Sequence, residues 1–134
     1  MKEFSLQIVT PDKTAFDGKA ESLLIRTTSG DVEILAGHAD LLSALGTGRA
    51  RIRTADGTEK LASVNGGFLS VSGGEARVAA TTFEFADELD LSRAEAAKEK
   101  AEQQMKDAKS NAELSVAKSK LQRALSRIHI KSMK

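Results

Sequence analysis

The sequence predicts a β + α chain: an N-terminal antiparallel β-sandwich or flattened barrel over residues 1–85, then a C-terminal antiparallel two-helix hairpin over 86–134. Three observations predict it. Up to residue 85, apolar and polar residues alternate in short runs, the period of half-buried strands. Turn signals of Gly, Pro, Asp and Asn separate those runs at short intervals. Past residue 86 the apolar spacing changes to three and four, and neither Gly nor Pro interrupts the remaining chain.

The strand runs follow in order. In "FSLQIV", Phe4, Leu6 and Ile8 alternate with Ser5 and Gln7, and Pro11-Asp12 ends the run. "ESLLIRT" (21–27) and "VEIL" (32–35) flank Ser29-Gly30-Asp31 and read as a hairpin. "RARIRT" (49–54) alternates arginines with Ala50 and Ile52 before the turn signal Asp56-Gly57. "TEKLASVN", "FLSVS" and "EARVAA" follow, separated by Gly66-Gly67 and Gly73-Gly74. Both glycine pairs suit hairpin turns that need positive φ. Connections this short exclude parallel crossovers between consecutive strands.

In the helical part, Ala94, Ala97, Ala101, Met105 and Ala108 form one stripe; Leu114, Ala117, Leu121, Leu125 and Ile128 form another. "KSNAE" (109–113) between them is a polar break of hairpin length. An alanine seam buries little area, at about 0.8 kcal/mol per CH₂, against about 1–2 kcal/mol per residue of backbone entropy. The hairpin is therefore expected to need a surface, partner or ligand to stay closed. Charge is also divided: residues 84–107 carry eight acids and four bases, whereas 114–134 carry six bases and no acid. Those bases are Lys118, Lys120, Arg123, Arg127, Lys131 and Lys134, and they call for an acidic neighbour.

Composition narrows the function. The chain has 134 residues, no cysteine, a net charge of +1 and five aromatic residues, all Phe. Without cysteine there are no disulfides, thiolate nucleophiles or Cys-based zinc sites. No apolar run is long enough for a signal peptide or a membrane span. His38 and His129 lie far apart without metal-ligand spacing, so no metal site is expected; His38 reads as a loop residue bonded to local backbone. GxxxxGKS/T, GxGxxG and GxSxG are all absent, and no catalytic constellation is present. An enzyme is not expected. Arg49, Arg51 and Arg53 share one face of a strand but lack interleaved aromatics for nucleic-acid stacking.

"LDLSRA" (89–94) admits two readings. Asp90 is a good N-cap, and Ser92 with Glu95 forms an S-x-x-E capping box. Arg93 fits a first turn poorly, because a cation there opposes the helix dipole. An anion near that terminus would draw on Arg93 and on free amides. Arg123 and Arg127, four apart on the second helix, would bring two more guanidiniums if the hairpin closes.

These motifs, in order, resemble the epsilon subunit of bacterial F-type ATP synthases, the mitochondrial delta equivalent, over the whole chain. "VTPDK" (9–13), "SGDVEILAGHADLL" (29–42), "NGGFLSV" (65–71) and "LDLSRA" carry the resemblance, followed by the alanine-rich hairpin. Two departures stand out: Glu33 where the family usually has Gly, with a changed loop geometry as its expected consequence, and Asp40 where it usually has Pro. The resemblance implies a non-catalytic rotor subunit, with the β domain attached to the gamma subunit and the c-subunit ring through Ser29, Gly30, Asp31, Val32 and His38. It implies helices that extend into the alpha/beta catalytic subunits and block ATP hydrolysis, with Lys118, Lys120, Arg123, Arg127 and Lys131 as inhibitory contacts. It implies no required cofactor, but ATP as a regulatory ligand of the folded hairpin. The family motif I/L-D-x-x-R-A is met by Leu89, Asp90, Arg93 and Ala94, and further family ligands match Glu84, Arg123 and Arg127. Lys100 stands where tight binders have Arg. The implied location is peripheral, on the cytoplasmic face of the bacterial cell membrane. A generic adaptor with a helical tail, or a nucleic-acid-binding module, are the competing readings.

Overall fold

Six strands are followed by a 3-10 turn and two helices in a computed structural model that describes residues 2–132. The strands are β1 (Phe4–Val9), β2 (Thr14–Thr27), β3 (Gly30–Leu35), β4 (Leu41–Thr54), β5 (Glu59–Ser72) and β6 (Glu75–Phe85). The turn spans Ala86–Glu88, and the helices are α1 (Leu91–Asp107) and α2 (Asn111–Ser132). The chain divides into two compact units, Met1–Phe85 and Ala86–Lys134. Lys134, counted among the bases of the last helix, lies outside the described residues. No described helix is long and apolar enough to cross a membrane.

In the first unit the strands run in the order β1-β6-β5-β4-β2-β3, and a further β1–β2 pairing closes the sheet into a flattened barrel. β2 makes closure possible by serving two partners, β1 and β3, in succession while it also pairs with β4. Its first half pairs with β1 (Phe4↔Ala20) and its second half with β3 (Ser22↔Leu35, Thr27↔Gly30). The inward residues that alternation selected are the core: Phe4, Leu6 and Ile8 of β1 pack with Leu23, Ile25, Ile52, Val64, Leu69, Val78 and Phe83.

Two expectations need correction. First, pairing is not antiparallel throughout: β1 and β6 are parallel, from Ser5↔Glu75 to Val9↔Ala79. Short connections exclude parallel pairing between consecutive strands only, and these are the first and last strands along the chain. Second, Gly66-Gly67 is not a turn. "TEKLASVN" and "FLSVS" are one strand, β5, with the glycines in its interior. The ladder to β4 is interrupted there, between Ala44↔Phe68 and Thr47↔Asn65, while pairing with β6 continues through Gly67↔Ala80. Gly67 has φ +109, and a Cβ on it would lie 2.0 Å from the Ala79 carbonyl oxygen. Only glycine permits that approach, and it bends the strand around the barrel. Gly73-Gly74, by contrast, is the two-residue hairpin turn between Ser72 and Glu75, with φ +58 and +80.

The second unit starts its helices with side-chain caps. Asp90 is the N-cap of α1, and its Oδ1 accepts from the Arg93 amide at 3.2 Å. Ser92 lies inside the helix, so Ser92–Glu95 is not the capping box. The S-x-x-E box stands at the second helix: Ser110 Oγ accepts from the Glu113 amide at 3.1 Å, and Glu113 Oε2 accepts from the Lys109 amide at 2.7 Å. The buried stripe is Ala94 and Ala101 on α1 with Ala117, Ala124 and Ile130 on α2. Ala97 is exposed, and the α2 stripe turns to Ala124 where Leu125 was expected; Leu125 is 44% exposed. Spacings of three and four leave both residues open near the seam, and the close helix approach selects the smaller.

Candidate functional site

Within the second unit the helix hairpin brings cations together. Lys120, Arg123 and Arg127 are separated by three and four residues, which puts them on one face of α2. Lys100 stands on α1, one turn before Gln104. All five line a cleft of about 280 Å³ whose remaining lining is Ala97 and Ala101. Among the described residues, no carboxylate lies within ion-pair distance of Lys100, Lys120 or Arg123. Several donors over a floor of small side chains, with no acid in the lining, is a chemistry that suits an anion.

Of the residues matched to the family's nucleotide motif, Arg123 and Arg127 line this cleft, with Lys100. Leu89 and Ala94 are buried, Asp90 caps α1, and Arg93 is exposed in the first turn. None of these four is in the lining of the cleft. Glu84 belongs to β6, opposite Ser63. Of the proposed inhibitory bases, Lys118 is exposed, Lys120 faces the cleft, and Lys131 is half-buried with its Nζ donating to the Ala86 carbonyl oxygen at 3.1 Å. Placing Lys120 in the cleft was open to sequence reasoning through its spacing from Arg123 and Arg127. Gln104 carried no such signal.

At the other unit, the β2–β3 tip is held by its own side chains. Thr27 Oγ1 donates to the Gly30 carbonyl oxygen at 2.7 Å and accepts from the Ser29 amide at 3.1 Å. The Thr28 amide donates to Ala44 of β4 at 3.0 Å. Asp31 receives Arg26 Nε at 2.8 Å and lies 3.7 Å from the Arg49 guanidinium. Val32 is half-buried against the core. The tip that carries Ser29, Gly30 and Asp31 is thus a preformed surface. His38 Nδ1 lies 2.6 Å from the Ala39 carbonyl oxygen, a bond to local backbone.

Both family departures have defined places at this end. Glu33 does not change a loop: it occupies an ordinary ladder position in β3, opposite Leu24. Asp40 accepts from the Gly73 amide at 3.2 Å and so ties its loop to the β5–β6 turn. Two of the three β4 arginines face acids. Arg49 lies near Asp31, and Arg53 is bonded to Glu59 at 2.6 Å, a hydrogen bond that raises the Arg53 pKa.

Sequence reasoning missed an apolar patch on the outer barrel face. Leu42 is 73% and Phe68 60% exposed. Their register, Leu42↔Ser70 and Ala44↔Phe68, puts them on the same face of adjacent strands. Strand alternation marks both as outward, and two large apolar side chains on one outward face are the signal that was available.

Comparison with known proteins agrees over the whole chain. Residues 3–86 match the family model for the ATP synthase delta/epsilon chain β-sandwich domain, and residues 87–132 match that for its long α-helix domain. The ATP synthase epsilon chain of Ruminococcus albus is 38% identical over 135 residues, covering all of both chains. That of Bacillus velezensis is 36% identical over 130 residues, covering 97% of this chain and 98% of the relative. Among solved structures, a chain of the Euglena gracilis mitochondrial ATP synthase has the same fold, with a TM-score of 0.83 at 19% identity, over 98% of this chain and 82% of that one. The chain therefore belongs to the ATP synthase delta/epsilon chain family, as a subunit of that complex and not its catalytic one.

Proposed function

We propose that this chain, as a central-stalk subunit, turns with the gamma subunit and the c-subunit ring of a proton-translocating ATP synthase. It works at the cytoplasmic face of the bacterial membrane, and its helices restrain ATP hydrolysis. The Leu42–Phe68 patch has the apolar character of a protein interface and supports docking to gamma. The rigid Ser29–Asp31 tip supports contact with the c-ring. The observation that carries the regulatory part is the helix seam, whose buried residues are four alanines and one isoleucine. Such a seam holds the hairpin weakly. Opening frees Arg123, Arg127 and Lys131, together with the already exposed Lys118 and Lys120, to meet acidic surfaces of the alpha and beta subunits. ATP bound only to the closed hairpin stabilises it by RT ln(1 + [L]/Kd), with Arg123 and Arg127 as phosphate ligands.

Reconstitution tests this reading. The chain is added to an alpha–beta–gamma complex and ATP hydrolysis is followed at low salt. Stable co-purification with gamma and suppressed hydrolysis are expected. A chain that neither binds gamma nor changes the hydrolysis rate rejects the assignment. The nucleic-acid alternative gains nothing here, because Arg49 and Arg53 already face carboxylates.

A further inference from the structure

Barrel closure leaves one of the described strands with a single partner. β1, β2, β4, β5 and β6 each pair with two strands or more, whereas β3 (Gly30–Leu35) pairs with β2 alone. Its other edge is open. In an antiparallel pair the amides and carbonyls of alternate residues point to the partner, and those between point away. Thr27 and Gly30 flank a two-residue turn and so direct their bonding groups at each other. Gly30, Val32 and Ile34 therefore serve β2, and Asp31, Glu33 and Leu35 turn their backbone groups to the open edge. Leu35 fits this alternation: its carbonyl accepts from the His38 amide at 3.1 Å, outside the β2 ladder.

An open edge is a template for a further strand, and sheets guard it with charge. Here the guard is acidic. Asp31 is held by Arg26 and lies near Arg49. Glu33, at the centre of the edge, is exposed and has no ion pair among the described residues. Arg53 feels its charge but is bonded to Glu59 at 2.6 Å. Side chains opposite each other across a ladder share a face. If two copies of β3 paired antiparallel, Glu33 would therefore meet Asp31, Leu35 or a second Glu33, and never a base. A partner strand with Lys or Arg at that point supplies one. Leu35, on the same face and 44% exposed, suits an aliphatic residue two positions from that base.

We infer that the open edge of β3 accepts an extended segment of a partner protein as an added antiparallel strand, with a Lys or Arg opposite Glu33 and an aliphatic residue opposite Leu35. Backbone bonds to Asp31 and Glu33 hold the segment, and Glu33 selects its charge.

The test is a titration of the isotope-labelled full chain at low salt with the capped peptide Thr-Val-Val-Lys-Val-Thr and with its counterpart carrying Glu for Lys. Amide shifts report binding, and amide-proton exchange reports the backbone. Wild type should bind the Lys peptide saturably, with slower exchange at the Asp31 and Glu33 amides, and should bind the Glu peptide more weakly. Glu33→Lys should reverse that preference, weakening the Lys peptide about fivefold, the scale of one cross-strand charge pair. Glu75→Lys makes the same change of net charge at an exposed position of β6, which is paired on both edges, and should leave the preference unchanged. Circular dichroism checks the fold of both variants. Binding of the Lys peptide without slower exchange at Asp31 and Glu33 is surface attraction and overturns strand addition. Equal affinity of wild type for the two peptides, or equal effects of Glu33→Lys and Glu75→Lys, removes Glu33 as the selector. Binding of neither peptide overturns the inference. So does a wild-type dimer in sedimentation that Glu33→Pro dissociates, which assigns the edge to a second copy.

Discussion

Lys131 near the end of α2 donates its ammonium to the carbonyl oxygen of Ala86 at 3.1 Å, and the same oxygen accepts from the Leu89 amide at 3.3 Å. The last turns of α2 are thereby fastened to the turn that precedes α1. Next to Lys131, Ile130 is fully buried. Against a seam of alanines, one such bond is a substantial share of the closing energy.

Lys131→Met keeps the aliphatic stem and removes the donor. Partly exposed, the bond is worth about 1 kcal/mol. Amide exchange in the last two turns of α2 should become several-fold faster, with the β unit unchanged. Identical exchange in the two proteins shows that the contact does not hold the helix.

Asp90→Ala removes the cap of α1 and should lower the stability of the helical unit by about 1 kcal/mol. Ser92→Ala should have little effect, because Ser92 is inside the helix and exposed. Helical circular dichroism during thermal melting separates the two. A larger loss for Ser92→Ala assigns the cap wrongly.

Gly67→Ala should be the most damaging small change in the β unit, at about 3 kcal/mol or more. Its Cβ meets the Ala79 carbonyl at 2.0 Å and its φ is +109, so backbone must move. At Gly73 a Cβ meets nothing within 4 Å. Gly73→Ala should cost only the left-handed strain, about 1–2 kcal/mol. Denaturant unfolding of both variants checks the order, and a reversed order places the critical approach elsewhere.

Asp56 closes the β4–β5 turn by accepting from the Thr54 hydroxyl and from the Thr58 amide at 3.0 Å. The Thr54 hydrogen bond is the main reason its pKa falls from 3.8 to about 2. A carboxyl with a depressed folded-state pKa contributes stability above its unfolded value, and that contribution is lost as pH falls toward the folded one. Between about pH 4 and pH 2 the wild type should therefore lose more stability than Asp56→Asn. Denaturation midpoints measured across that interval decide it, and parallel pH profiles would exclude Asp56 as the source.

Much of this protein is determined by local pattern. Phe4-Leu6-Ile8 and Leu23-Ile25 alternate because one strand face meets the core and the other water. The break at residue 86 is legible because a period of two and a period of 3.6 cannot share one element. The family motifs are local as well, and so were readable in order. Tertiary structure decided what depends on approach between distant segments. Gly66-Gly67 carries the same signal as Gly73-Gly74, and only the Ala79 carbonyl pressed against β5 makes it a bend and not a turn. The parallel β1–β6 pair joins residues some seventy positions apart in the chain, a distance at which turn chemistry has no influence. Ala124 displaced Leu125 from the seam because backbone proximity favours the smaller side chain. Lys120 was legible as a charge, but only closure of the hairpin put it beside Lys100, because a cleft between two helices exists in neither helix alone.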